Sequence, residues 1–216
     1  MPAYRSDAEG EVREAVVARL RALRPTARIM HEVNVSLFGN RVDVLAVDRA
    51  EIIAVEIKSA KDRLDRLPDQ LKAMKGCAHH SIAALHEKFY TEAVTNQWAA
   101  EYERDGMYYC KTPPAGVGWD NTAWRYPVHP KALWGEPSAT ISRPLPAKAL
   151  DMLWRAELLE MCSRYRVSCG PRPVMEMMTN ALRWQLSGRD LTLGICAALR
   201  ARACIEADPA HEWPKP

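Results

Sequence analysis

Two apolar runs set the pattern of the amino-terminal half, Val42 to Val47 and Ile52 to Ile57, with Asp48-Arg49-Ala50-Glu51 between them. This reads as strand, turn, strand. Upstream, Ala27 to Ser36 alternates and predicts another strand, with Ile29, His31, Val33 and Val35 on one face and Met30, Glu32 and Asn34 on the other. Gly39-Asn40 supplies the hairpin turn into Arg41. Before that strand, Val12, Val16, Leu20 and Leu23 recur at helical spacing. Ser6-Asp7-Ala8-Glu9 has the form of a capping box, and Pro25 marks the helix end. After the second run, Pro68 suits the first turn of a helix and Gly76 its stop. A strand is expected over Ser81 to Leu85, and a polar helix over 86–104 with Phe89, Tyr90 and Trp98 facing inward. Met107 to Cys110 should add a final strand.

From Lys111 to Pro146 prolines cluster, and Trp119, Trp124, Tyr126 and Trp134 punctuate a polar background. This predicts an irregular connector, with room for a strand from Trp124 to Val128. Its aromatics could stack on unpaired bases or anchor the connector to the domain. Beyond it, Leu150, Leu153, Trp154, Leu158 and Met161 form one helical stripe. A second helix begins at Pro173, with Val174, Met177, Met178, Ala181 and Leu182; Asp190 caps a third. The expected fold class is α/β: a mixed sheet of about four strands flanked by helices, with a C-terminal helical appendage. The division expected is a core over 1–110, a connector over 111–146, a helical bundle over 147–208 and a frayed tail over 209–216.

With 216 residues the chain can bury a sizeable core. No apolar run is long enough to span a bilayer, and the amino terminus has no basic-then-apolar leader. A cytoplasmic protein without a membrane partner is expected. The six cysteines form no CxxC pair and read as free thiols. Cys77, His79, His80 and His86 match no zinc spacing. Residues 140–216 hold 11 Lys+Arg against 8 Asp+Glu, which is the whole of the net +3. A basic excess there fits nucleic acid without establishing it.

Three charges interrupt the apolar runs: Asp43, Glu56 and Lys58. Glu56 and Lys58 lie one step apart on one strand face. Two carboxylates and a lysine at adjoining strand ends are what metal-assisted phosphodiester cleavage needs. The carboxylates hold a hard divalent cation, and the lysine orients water or offsets phosphoryl charge. The bland alternative is an ion pair on a sheet edge, which stabilises little.

Asp43, twelve intervening residues, then Glu56-Ile57-Lys58 resembles the D…(D/E)xK signature of the PD-(D/E)xK nuclease superfamily. Val42 stands where the usual Pro would be. The nearer resemblance is to small bacterial and phage members with the string EIKS-x-x-D-x-L-x-R-L-x-x-Q. Here it reads Glu56-Ile57-Lys58-Ser59, then Asp62, Leu64, Arg66, Leu67 and Gln70. The likeness covers roughly the first 90 residues and returns weakly at Leu153 to Leu159. It implies a restriction-endonuclease-like fold and a Mg2+- or Mn2+-dependent nuclease, most readily a deoxyribonuclease. Asp43, Glu56 and the Ile57 carbonyl would be metal ligands and Lys58 the water-positioning group. Gln70 matches the first residue of the Q-x-x-x-Y motif of RecB-type nucleases; Met74 replaces its Tyr. Many members add an acid from a preceding helix. By facing, Glu11 is the candidate here and Glu14 lies further toward solvent; Glu32 is second-tier and His31 reads as a core histidine. Arg41, Arg66, Lys72, Arg155 and Arg172 are the candidate nucleic-acid contacts, and a homodimer is compatible with the reading. The alternative is a catalytically inactive nucleic-acid- or protein-binding module on the same fold.

Overall fold

The computed structural model describes residues 6–35, 39–117, 122–127, 137 and 143–213. Trp119 and Trp134 of the expected connector lie outside the described residues. The amino-terminal pattern forms α1 (Asp7–Leu23), β1 (Arg28–Asn34), β2 (Arg41–Val47), β3 (Ile52–Lys58), α2 (Leu67–Lys75) and β4 (His80–His86). Ser6 caps α1, its Oγ accepting from the Glu9 N–H at 3.3 Å. The strands β1, β2 and β3 are antiparallel neighbours, whereas β4 lies parallel to β3. A parallel pair needs a crossover, and α2 supplies it.

The polar stretch after β4 departs from expectation. Instead of a helix over 86–104 there are β5 (Thr91–Thr95) and β6 (Tyr102–Arg104), which pair with β7 (Met107–Thr112) in a separate three-stranded sheet. The β-branched Thr91, Val94 and Thr95 favour this local pairing over a helix. Trp98 sits at the turn and is 84% exposed, so it does not face inward. The last strand of the main sheet is β8 (Thr122–Tyr126), inside the expected connector and parallel to β4. The main sheet thus has the order β1-β2-β3-β4-β8, mixed and flanked by helices.

The C-terminal helices are α3 (Arg155–Arg164), α4 (Met175–Gln185) and α5 (Gly188–Ala201). Ser187, not Asp190, caps α5: its Oγ accepts the Asp190 N–H at 3.1 Å. These helices are not a separate appendage. Leu158, Met161, Leu182, Ile195 and Leu199 share one core with Met30, Leu45, Ile52 and Leu85 of the sheet and Leu71 and Met74 of α2. The opposite sheet face is covered by Val12, Val16 and Leu20 of α1. Among the described residues no helix is long and apolar enough to cross a membrane.

The segment after α5 also packs, where fraying was expected. The His31 N–H donates to the Glu206 carbonyl at 2.8 Å and the Asp208 N–H to the Ile29 carbonyl at 2.9 Å, along the outer edge of β1. The His211 N–H reaches the Arg200 carbonyl at 2.8 Å, and the Arg164 guanidinium lies over the Trp213 ring. Arg28, buried at the start of β1, donates to the Leu199 and Arg200 carbonyls at 2.8 and 2.9 Å and to the Asp208 carbonyl at 3.0 Å. It adds a charged donor to the Leu199 and Arg200 carbonyls at the end of α5, which also accept the Arg202 and His211 N–H groups. Arg28→Ala is therefore expected to destabilise the fold by about 3 kcal/mol, since it removes three hydrogen bonds from a charged donor and empties the space of a buried side chain. Urea denaturation measures this; a loss under about 1 kcal/mol would show that water serves these carbonyls as well.

Candidate active site

The ladder between β2 and β3 runs from Val47 opposite Ile52 to Val44 opposite Val55 and then opens. The first residues past the opening are Asp43 and Glu56. Asp43 Oδ2 accepts the Ile57 N–H at 2.7 Å, taking the place of a strand partner. The N–H and C=O of one strand residue point to the same side, so the Ile57 carbonyl faces the same gap. On its other side β3 stays paired with β4 as far as Lys58 opposite Leu85. That keeps β3 extended and leaves Glu56 and Lys58 on one face. Lys58 Nζ donates to Glu56 Oε1 at 2.8 Å. Both are buried on the central strand rather than displayed at an edge.

Gln70, one turn into α2, donates through Nε2 to the same Glu56 Oε1. Glu56 Oε2 and Gln70 Oε1 are buried with no hydrogen-bond partner. A buried carboxylate oxygen without a donor is costly, and a cation would relieve it. The residues present therefore fit a hard divalent ion held by oxygen. Burial, and then the neighbouring charge of Asp43, push the Glu56 carboxyl up to about 7; Lys58 and Gln70 offset part of this. Burial also raises Asp43, against the Ile57 amide and Arg13.

Arg13 and Glu9 belong to this cluster and were not read from the sequence. Arg13 is 1% exposed on α1. Its Nη2 lies 2.6 Å from Glu9 Oε1, 2.8 Å from Glu32 Oε1 and 3.7 Å from Asp43 Oδ1, while Nη1 donates to the Asp43 carbonyl at 2.8 Å. Burial opposes its charge, but Glu9, Glu32 and Asp43 more than compensate, and Arg13 is held above the usual arginine range. Glu32 reaches the cluster through a left-handed backbone at φ 55°. That turn reverses the alternation of β1. Ile29 faces α1, yet Val33 and Val35 face the other core, so they do not share the face expected of them. His31, half-buried, has Nδ1 3.3 Å from Arg13. Burial and then the Arg13 charge lower its pKa.

Glu9, Glu32, Asp43, Glu56, Ile57, Lys58 and Gln70 line a cleft of about 580 Å3 together with Asn34, Gly39, Arg41, Lys61, Asp62, Arg63, Asp65 and Arg66, while Arg13 and His31 lie behind its wall. Ser59 and Asp62 of the EIKS string build its rim: the Ser59 N–H and Oγ both donate to Asp62 Oδ2, at 2.7 and 2.6 Å. Lys88 clamps the same loop through the Ala60 and Asp62 carbonyls. Of the sequence candidates, Asp43, Glu56, Ile57, Lys58, Gln70, Glu32, Arg41 and Arg66 meet here. Glu11 does not. It is exposed on α1 outside the cleft, because Glu9, four residues before Arg13, occupies the inward face. Lys72, Arg155 and Arg172 are exposed and do not line the cleft; Arg155 donates to the Pro173 carbonyl at 3.2 Å instead. The signal for Arg13 lay in its position: it stands beside Val12 in a buried stripe, with an acid one turn earlier.

Residues 3–98 match the family described as bacteriophage P4 protein cII. That stretch contains every residue of the cleft. Comparison with curated proteins and with solved structures finds no match.

A carboxyl whose folded-state pKa exceeds its ordinary value of 4.5 is protonated more readily in the folded state. Its stabilising contribution is full below pH 4.5 and is lost as pH rises through about 7. In chelator, the melting temperature should therefore fall between pH 5 and pH 8, and Glu56→Gln should flatten that fall. A pH profile identical in the two proteins would show that Glu56 is not the group responsible.

Proposed function

We propose that this protein is a divalent-cation-dependent nuclease acting on DNA, with a restriction-endonuclease-like sheet of the PD-(D/E)xK type. The observation that carries the reading is the convergence of Asp43, Glu56, the Ile57 carbonyl and Lys58 where the β2–β3 ladder opens, with Glu56 Oε2 buried and unpartnered. Asp43, Glu56 and the Ile57 carbonyl would hold Mg2+ or Mn2+. When bound, such an ion lowers the pKa of a coordinated water and offsets charge on the scissile phosphate. Lys58 holds the attacking water and stabilises negative charge as the phosphorane forms. Gln70 fixes Glu56 by occupying Oε1, which leaves Oε2 for the ion. Arg41, Lys61, Arg63 and Arg66 at the cleft take the backbone phosphates of the substrate. The six cysteines are all unpaired, which fits a reducing cytoplasm. The likeness to a family described by a bacteriophage protein favours a phage or phage-derived setting.

A second reading has one observation in its favour. Arg13 already lies against three acids of the cluster and offsets part of their charge without a metal, as a protein that binds without cleaving would need.

Calorimetry with Mn2+ and cleavage of linear, circular, branched and single-stranded DNA separate the two. Asp43→Asn or Glu56→Gln should abolish ion binding. Lys58→Ala should spare it and slow cleavage roughly a hundredfold or more. Unchanged Mn2+ affinity in both carboxylate variants would sink the metal site. A Lys58→Ala rate within about threefold of wild type, under 1 kcal/mol in barrier, would remove Lys58 from the mechanism.

A further inference from the structure

The cleft has two places where carboxylate oxygens converge, and they differ in what already fills them. At the first, Asp43 Oδ2 and Glu56 face each other across the open ladder, and Glu56 Oε2 has no donor. At the second, oxygens of Glu9, Glu32 and Asp43 lie within 4.8 Å of one another. Three carboxylates at that spacing are the donor set a second divalent ion would use, and paired ions in phosphoryl-transfer sites sit about 3.5–4 Å apart and share a carboxylate. Asp43 touches both places and could bridge them.

A single nitrogen stands inside the second set. Arg13 Nη2 is 2.6, 2.8 and 3.7 Å from one oxygen each of Glu9, Glu32 and Asp43. The guanidinium cannot leave easily. It is buried, Nη1 is tied to the Asp43 carbonyl at 2.8 Å, and α1 holds it with Val12 and Val16 packed on the sheet. Nor can it lose its charge near neutral pH.

Resting on the nuclease reading, we infer that Arg13 is a built-in substitute for the second metal ion, so that the site takes one divalent cation per chain. Arg13 acts as a positioning residue: it turns Asp43 Oδ1 away from the ladder opening and leaves Oδ2 beside Ile57. Glu9 and Glu32 are its counter-charges, Glu32 being shared with Arg41 Nε at 2.8 Å from its other oxygen, and they hold no metal. Their conversion to neutral amides should leave the ion bound at the first place.

The test uses the full chain and Mn2+ alone, with stoichiometry read by calorimetry and by electron paramagnetic resonance, in which paired Mn2+ ions give a coupled spectrum. Wild type should bind one ion with an uncoupled signal. Arg13→Met should bind two, with coupling. Two ions in wild type would overturn the inference while leaving the nuclease reading intact; no ion in wild type would fail the nuclease reading itself. Folded Arg13→Met that binds one ion or none would also overturn the inference. Should that variant not fold, Glu9→Gln and Glu32→Gln decide. Less than a tenfold change in Mn2+ affinity is expected, and a larger loss in either would make it a metal ligand and overturn the assignment to Arg13.

Discussion

The hydrogen bond from the Ile57 amide to the Asp43 carboxylate is the contact on which the site depends. A strand pair that stops leaves backbone donors without partners, and a buried one would cost about 1–3 kcal/mol. Here a side chain takes over at the place where the ladder ends. The strands can then part without penalty, and the gap brings Asp43 opposite Glu56. The central position of β3, paired with β4 beyond the opening, keeps Glu56 and Lys58 in extended strand, while β2 stays paired with β1 as far as Arg41. The cleft is thus a controlled interruption in a sheet that is otherwise continuous.

Charge is the second constraint. Helix α1 brings Arg13 to one side of Asp43, and α2 brings Gln70 to Glu56 on the other face of the sheet. Each acid is partly balanced, and neither balance is complete. Burial and mutual repulsion still raise both carboxyls, and Glu56 keeps one oxygen without a donor. Such a site holds its carboxyls protonated to higher pH than free carboxylates.

The strands β2 and β3 were legible because their apolar runs are bounded by polar turns, and α1 because its apolar stripe and cap agree. The kink at Glu32 was not legible. A left-handed backbone at a residue other than glycine leaves no trace in an alternating pattern, so Val33 and Val35 were placed on the wrong face. The facing that favours Glu11 over Glu14 rests on apolar and small residues alone, and Glu9 escapes it because the buried Arg13 beside it reads as a polar position. The C-terminal helices were read as a bundle of their own for a related reason. An amphipathic stripe says that a face is buried, not whether another helix or a sheet buries it. Thr91 to Thr95 was mistaken for helix because its strand partners are local and its surroundings polar.

The segment stitched along β1 has a consequence in time. Ile29 and Asp208 are bonded across 179 positions of sequence. The outer edge of β1 is an open row of backbone groups until that partner has been made, and open edges recruit other strands. At a synthesis rate of about 5–20 residues per second, the edge that carries His31 and Glu32 waits roughly 10 to 35 s on the ribosome for its cover. For that interval the newborn chain has the three strands of the cleft but neither the C-terminal helices that complete one sheet face beside α2 nor a closed border. Whatever acts on it then, a chaperone or a second nascent copy, meets a different surface from the finished molecule.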